Sequence, residues 1–268
     1  MWNAVKIVLS ENWNNRQRML RLASYELKSQ NYGTMFGSLW NFLNPALQIF
    51  TYWFVFAIGL RQEAPKEGVP YIIWMIAGLI PWFFISTTLQ TSTNSIYSYA
   101  GILKRMKFPL AIVPVKTVFA QFFAHLLAML VVFVVMICAG VSFTIKNLQL
   151  VYFMFCSICF LVAFSLMFSA VTVLFKDFQK ILGSIIRLLF YITPIVWNTD
   201  SLPENLKNVL KLNPLYYLVE GYRESLISPY GLWHHKEEMC YFWIVTIILF
   251  LFGCKVHVKF RRQFIDLL

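Results

Sequence analysis

The chain has 268 residues, 59% of them hydrophobic and only 13% charged, with a mean hydropathy of +0.63. A soluble domain of this length carries about a quarter charged residues and breaks its apolar runs well before roughly 18 positions; here long apolar runs recur throughout, so a soluble fold is excluded and the bilayer is the solvent. The net charge of +11 would suit nucleic acid in a soluble protein, but in a membrane chain it reflects the Lys and Arg excess of cytoplasmic loops, and no nucleic acid partner is expected.

Residues 1–33 form the first unit. They lack the apolar core and small-residue cleavage site of a signal peptide. Trp2, Val5, Leu9 and Trp13, then Leu20, Ala23 and Leu27, fall on one helical face, with Lys6, Arg16, Arg18, Arg21 and Lys28 on the remainder. A basic amphipathic helix with tryptophans on its apolar face lies in the membrane interface. The alternative is an ordinary surface helix against a soluble partner.

The pattern then predicts an all-α membrane domain over 34–258 and a cytoplasmic tail over 259–268. Six spans are placed near 35–60, 70–97, 112–138, 148–175, 179–197 and 239–258, each judged against the ~20 residues that cross about 30 Å of hydrocarbon. Asn44-Pro45 should kink the first span or end an interfacial entry turn. The fifth is short and closes on Thr193-Pro194. The loop 98–109 carries three cations, Lys104, Arg105 and Lys107. The loop 198–238 contains Pro203, Pro214 and Pro229 and two amphipathic pieces, 204–212 and 215–228. These fit either a pair of re-entrant half-helices buried in protein or an interfacial helix lying flat.

Six crossings put both termini on one side. Segments 1–34, 98–116, 176–187 and 255–268 hold most of the 23 Lys and Arg but few of the 12 Asp and Glu. The Lys/Arg bias makes that side cytoplasmic, so a multi-pass protein of the cytoplasmic membrane with both termini inside is expected.

Covalent chemistry is poorly served. No Gly-Lys dipeptide occurs, so there is no phosphate-cradling loop of the G-x-x-x-x-G-K-[ST] type. Neither a Gly-x-Ser-x-Gly elbow nor His-Glu-x-x-His is present. Asp177 and Glu26 sit at cytoplasmic edges, and Glu220 and Glu224 lie in the external loop, so no acid/base pair shares a membrane face. Cys156 and Cys159 form a Cys-x-x-Cys, but inside a span they read as small buried residues. No metal or cofactor is expected on the chain. A membrane-embedded glycan-modifying enzyme lacks its carboxylates; an ion-coupled carrier lacks intramembrane acids and an internal repeat.

Polar residues within spans mark candidate pathways. Gln121 and His125, four apart, share a face of the third span, and Arg187 lies in the fifth. Each suits interhelical bonding or snorkelling as well as substrate contact. Trp40, Tyr52, Trp53, Tyr191 and Trp197 belong either to interface belts or to an aromatic path for sugars. Ser165 and Ser169 are a small-x-x-x-small packing pair.

The stretches 25-YELKSQNYGTMFGSLWNFLNPALQIFTYWFVFAIGLR-61, 78-GLIPWFFIS-86, 102-ILKRMKFPLAIVP-114, 174-LFKDFQKIL-182, 190-FYITPIVW-197 and 211-KLNPLYYLVEGYRESL-226 together resemble the permease subunits of polysaccharide-exporting ABC transporters, most closely the teichoic acid translocation branch of Gram-positive bacteria. The resemblance implies a homodimer of six-span subunits with two separate ABC ATPase subunits that bind ATP and Mg. It implies a polyprenyl-diphosphate-linked glycopolymer as substrate, wall teichoic acid first, with O-antigen, capsule or drug export in the same fold as alternatives. Residues 98–109 resemble a coupling helix, in which Tyr99, Leu103, Lys104, Arg105, Met106, Lys107 and Phe108 would meet the ATPase or lipid phosphates. Tyr217, Glu220, Arg223 and Glu224 would form an extracellular gate.

Overall fold

The computed structural model describes residues 1–61, 69–103, 108–141, 143–199, 202–227 and 235–267, side chains at 102, 103, 146 and 262–267 excepted. Within a bilayer a chain must satisfy its backbone internally, and every regular element among the described residues is helical.

The amphipathic N-terminal segment is two helices, α1 (Trp2–Asn14) and α2 (Arg16–Ser29), broken at Asn15, where φ is −111°. Only part of the predicted apolar face is covered by protein. Val5, Val8, Met19 and Ala23 are buried, whereas Trp2, Leu9, Trp13 and Leu20 are exposed, as in a helix that rests on the protein while offering indoles to the interface.

A 3-10 turn over Gly37–Leu39 leads into α3 (Trp40–Trp53), and a π turn over Phe54–Gly59 ends it. Pro45 sits inside α3 and the helix continues through it, so Asn44-Pro45 does not end an entry turn. Next come α4 (Tyr71–Thr93), the short α5 (Ser95–Ser98) and α6 (Ala100–Leu103), then α7 (Ile112–Cys138) and α8 (Gln149–Leu174). They are followed by α9 (Phe178–Ile192), α10 (Glu204–Lys211), α11 (Pro214–Ile227) and α12 (Lys236–Leu267).

Among the described residues, five helical stretches are long and apolar enough to cross a membrane: Gly37–Gly59, Tyr71–Thr93, Ile112–Cys138, Gln149–Leu174 and Lys236–Arg261. The expected span over 179–197 is helical only to Ile192. At 15 residues α9 rises about 22 Å, because Pro194 withholds an N–H and pushes Thr193 into an extended conformation (ψ 128°). The chain beyond is nonetheless buried at Thr193, Ile195 and Val196.

Side-chain pairs fix which element ends lie together. On the N-terminal face, Arg261 near the end of α12 pairs with Glu11 of α1, Lys116 at the start of α7 pairs with Glu26 of α2, and the Lys176 ammonium lies 5.2 Å from the Tyr97 ring centre. On the opposite face, the Tyr71 hydroxyl donates to the Val196 carbonyl at 2.6 Å, Asn147 Nδ2 to the Ser225 carbonyl at 2.6 Å, and the Tyr241 hydroxyl to the Leu212 carbonyl at 2.9 Å. Thus α9 leaves the face where α4 ends, and Val196 just beyond it reaches the face where α4 begins. The chain's two ends meet on one face.

Helix α4 is the centre of the bundle: Met75, Leu79 and Ile85 are fully buried against α7, α8 and α11. The pair α8 and α12 pack closely where a Cβ on Gly253 would stand 3.0 Å from the Ala163 carbonyl and 3.1 Å from the Met167 nitrogen. Ser165 and Ser169 are buried on the same helix. The two pieces of the 198–238 loop differ. No residue of α10 is buried, while Leu215, Leu218, Tyr222 and Leu226 make one face of α11 part of the main core.

Candidate functional site

A polar stripe interrupts α4. Ser86 and Gln90, then Asn94 at the C-terminal cap, recur at intervals of four, with Thr87 and Thr91 beside them, so hydrogen-bonding side chains line one face of the helix's last two turns. This stripe forms one wall of a cavity of about 790 Å³. Gln48 and Tyr52 of α3 form a second wall, and Gln179, Arg187, Phe190 and Tyr191 of α9 a third. Gly183 lets α9 close on the stripe, since a Cβ there would meet Gln90 Nε2 at 3.0 Å.

The groove combines aromatic faces with uncharged donors and acceptors. The Tyr52 and Phe190 ring centres lie 5.0 Å apart, and Trp82 stands 5.8 Å from Phe190. Arg187 is exposed and lines the groove, with Nη2 donating to Ser184 Oγ at 3.0 Å. Trp197 is not among the residues lining the groove; its indole N–H donates to the Tyr191 carbonyl at 3.0 Å and bridges the turn after α9.

On the N-terminal face the groove is bounded by Glu26, Ser98, Tyr99 and Thr117. Lys116, fully buried, pairs with Glu26, which also accepts from the Thr117 hydroxyl at 3.2 Å. The Lys116 ammonium lies 4.0 Å from the Tyr99 ring centre. One cation thereby ties α2, α7 and the residues entering the 98–109 loop. Phe108 packs at the other end of that loop, against Ala111, Ile112 and Val173. Leu103 closes α6, and Lys104, Arg105, Met106 and Lys107 lie outside the described residues.

Of the expected pathway residues, Tyr52, Arg187 and Tyr191 come together in the groove. Trp40, Gln121 and His125 line an adjoining cavity, and Trp53 faces an apolar one with Ile76 and Val132. The serine, threonine and amide stripe on α4 escaped the sequence reading, although the polar run 86-STTLQTSTN-94 at the end of an apolar span is a visible signal.

The expected gate residues divide as well. Arg223 of α11 is buried, its Nη1 donating to Glu220 at 2.6 Å and its Nη2 to the carbonyls of Pro194 at 3.0 Å and Ile195 at 2.7 Å. It therefore clamps the bend after α9 to α11. Glu224 instead meets His235 Nε2 at 2.9 Å, and this contact, despite partial burial, holds the His235 imidazole above its ordinary pKa of 6.5. Tyr217 faces away, its hydroxyl 3.4 Å from that of Tyr152 on α8.

Residues 18–227 match the ABC-2 type transporter family. The chain is 26% identical to an O-antigen export system permease protein of Klebsiella pneumoniae over 92% of this chain and 93% of that protein. It is 25% identical to an O-antigen export system permease protein of Myxococcus xanthus over 97% and 98%. It is also 27% identical to a polysialic acid transport protein of Escherichia coli over 72% and 75%. With its helical membrane bundle and a match across most of its length, the chain belongs to the ABC-2 type transporter family.

Proposed function

We propose that this chain is the transmembrane subunit of an ATP-driven exporter that moves a polyprenyl-diphosphate-linked glycopolymer across the cytoplasmic membrane. The observation that carries the reading is the groove of Ser86, Gln90, Asn94, Tyr52, Tyr191 and Arg187 in a protein of this family. The lipid tail can remain in hydrocarbon, but the polar head cannot, because each unpaired polar group there costs several kcal/mol. Amides and hydroxyls meet sugar hydroxyls, aromatic faces meet the apolar faces of sugar rings, and Arg187 meets an anionic group.

Wall teichoic acid is the first substrate, supported by the resemblance of the sequence motifs and by a cation in a groove suited to phosphodiester repeats. O-antigen or capsular polysaccharide is the second reading, favoured by what the relatives' names say they move. The working assembly is two copies of the chain with two ATPase subunits that hold ATP and Mg. In it, α9 with residues 193–199 makes the sixth crossing and the N-terminal face is cytoplasmic. The loop 98–109 seats on the ATPase, and the Lys116 node carries its movement to α2 and α7. Depleting the chain in cells and identifying the lipid-linked polymer that accumulates inside tests the reading. Accumulation of a teichoic acid precursor supports the first substrate, accumulation of another polymer replaces it, and no accumulation rejects export.

A further inference from the structure

A cavity of about 530 Å³ lies between the α1–α2 corner and the helices α7, α8 and α12, and it shares no lining residue with the groove. Phe119 of α7, Val162 and Leu166 of α8, and Ile247 and Phe250 of α12 give it apolar walls. Leu9, Trp13 and Ile247 line it and are exposed, so it opens at the surface of the bundle. Its lining runs from Ile158 to Leu166 on α8 and from Trp243 to Phe250 on α12, about 12 and 10 Å at the helical rise. The cavity is thus a slot along the spans. At Trp243 it meets no free indole donor, because that N–H is bonded to the Tyr152 hydroxyl at 2.9 Å.

The end at the α1–α2 corner has a different chemistry. Among the described residues that line the cavity, Arg16 is the one charge. Its Nη1 donates to the Trp13 carbonyl at 3.1 Å, and its guanidinium carbon stands 5.0 Å from the Trp13 ring centre. Glu11 and Glu26, the acids of α1 and α2, are already paired with Arg261 and Lys116. Lys6, Arg16, Arg18, Arg21 and Lys28 therefore have no carboxylate partner among the described residues. Met19 packs in the cluster that holds Ile112 and Val115, which sets this corner at the N-terminal face. The exposed indoles of Trp2 and Trp13 mark the same level as a membrane interface.

We infer that this cavity binds one anionic phospholipid from the leaflet on the N-terminal face, with an acyl chain in the slot and the phosphate on Arg16. A slot open to hydrocarbon and without polar walls is filled by a chain rather than by water. A guanidinium matches a phosphate with parallel N–H groups. The surplus positive charge of α1 and α2 selects a net negative head over a zwitterionic one. The bound lipid would tie the α1–α2 corner to α8 and α12. Being apart from the groove, the site is independent of which polymer is moved.

The permease with its ATPase partner is equilibrated in mixed micelles holding palmitoyl-oleoyl phosphatidylglycerol and the matching phosphatidylcholine in equal amounts. Native mass spectrometry then counts the lipids each complex retains. Phosphatidylglycerol should be retained at least tenfold over phosphatidylcholine. The saturated count should fall by one per permease copy in Arg16→Gln, which removes the head's partner, and in Ile247→Trp, which fills the slot. It should not change in Arg18→Gln, a cation outside the cavity. If Ile247→Trp does not assemble, Arg16→Gln, at an exposed position, reads the same site, and recovery of the lipid in Arg16→Lys assigns the loss to charge. Equal retention of the two lipids, an unchanged count in Arg16→Gln or in an assembled Ile247→Trp, or an equal loss in Arg18→Gln would overturn the inference. So would displacement of phosphatidylglycerol by an equal amount of polyprenyl phosphate, which would make the occupant a carrier lipid.

Discussion

The Arg223 guanidinium lies 4.0 Å from the Trp74 ring centre, and Gly78, one helical turn further along α4, leaves the space the guanidinium occupies. A Cβ on Gly78 would collide with Arg223 and stand 3.1 Å from the Ile195 carbonyl that Arg223 holds. Cation, indole, two carbonyls and Glu220 thus form one closed cluster joining α4, α11 and the bend after α9.

Gly78→Ala should therefore destabilise the protein by about 1–3 kcal/mol, the usual cost of overpacking. Arg223→Ala strands Glu220 and two carbonyls and should cost more, about 3–5 kcal/mol. Because both act on one contact, they should not add: Gly78→Ala introduced into Arg223→Ala should be nearly neutral. Melting temperatures of the four proteins in one detergent decide it, and full additivity would dissolve the cluster into unrelated effects.

Much of this architecture is legible in the sequence for a simple reason. Uninterrupted apolar runs leave a chain in lipid little choice but helices, so α4, α7 and α8 fall within a few residues of their expected limits. Pro194 marks the end of α9 equally well. What the sequence withholds is which face of each helix meets protein. Lys116 looks like one more cytoplasmic charge, yet it is fully buried because Glu26, ninety residues earlier, waits for it. Trp40, Tyr52 and Trp53 share one helix and one composition argument, and the packing sends them to three different cavities.

That buried pair yields a second prediction. Glu26→Gln leaves the Lys116 ammonium buried without its anion, which costs about 3–5 kcal/mol. Removing both charges, Glu26→Gln with Lys116→Met, leaves no stranded ion and should recover most of the loss. Thermal unfolding of the single and double variants reads the comparison. A double variant as unstable as the single one would mean the pair fixes the geometry of α2 rather than merely neutralising a charge.

The His235–Glu224 contact joins α11 to the start of α12, with Glu238 3.9 Å from the other ring nitrogen and Lys211 on Glu238 at 3.0 Å. Since the folded pKa lies above the ordinary 6.5, the stabilising charge is fully present below about pH 6.5 and is lost as pH rises through the higher folded value. The ring is 37% exposed, so the effect is small. The melting temperature should fall slightly on going from pH 6 to pH 8, and His235→Gln should flatten that part of the profile. An unchanged slope in the variant would assign the pH dependence to another group.

The basic loop permits the sharpest functional test. Its described flanks are anchored, Tyr99 beneath the Lys116 ammonium and Phe108 against the clusters that hold Ile112 and Val173, while Lys104, Arg105 and Lys107 lie outside the described residues. Changing all three to Glu should leave the chain inserted, because orientation depends on the summed Lys/Arg bias and the other basic segments remain. If the loop seats on an acidic groove of the ATPase, as proposed, the reversal places like charges together at a penalty of several kcal/mol, and each 1.4 kcal/mol or so lowers affinity about tenfold. Co-purification of the ATPase should thus fall by at least tenfold, with export falling alongside, while the melting temperature of the permease stays near that of the parent. Undiminished co-purification together with normal export would leave the three cations with no task beyond orienting the chain in the membrane.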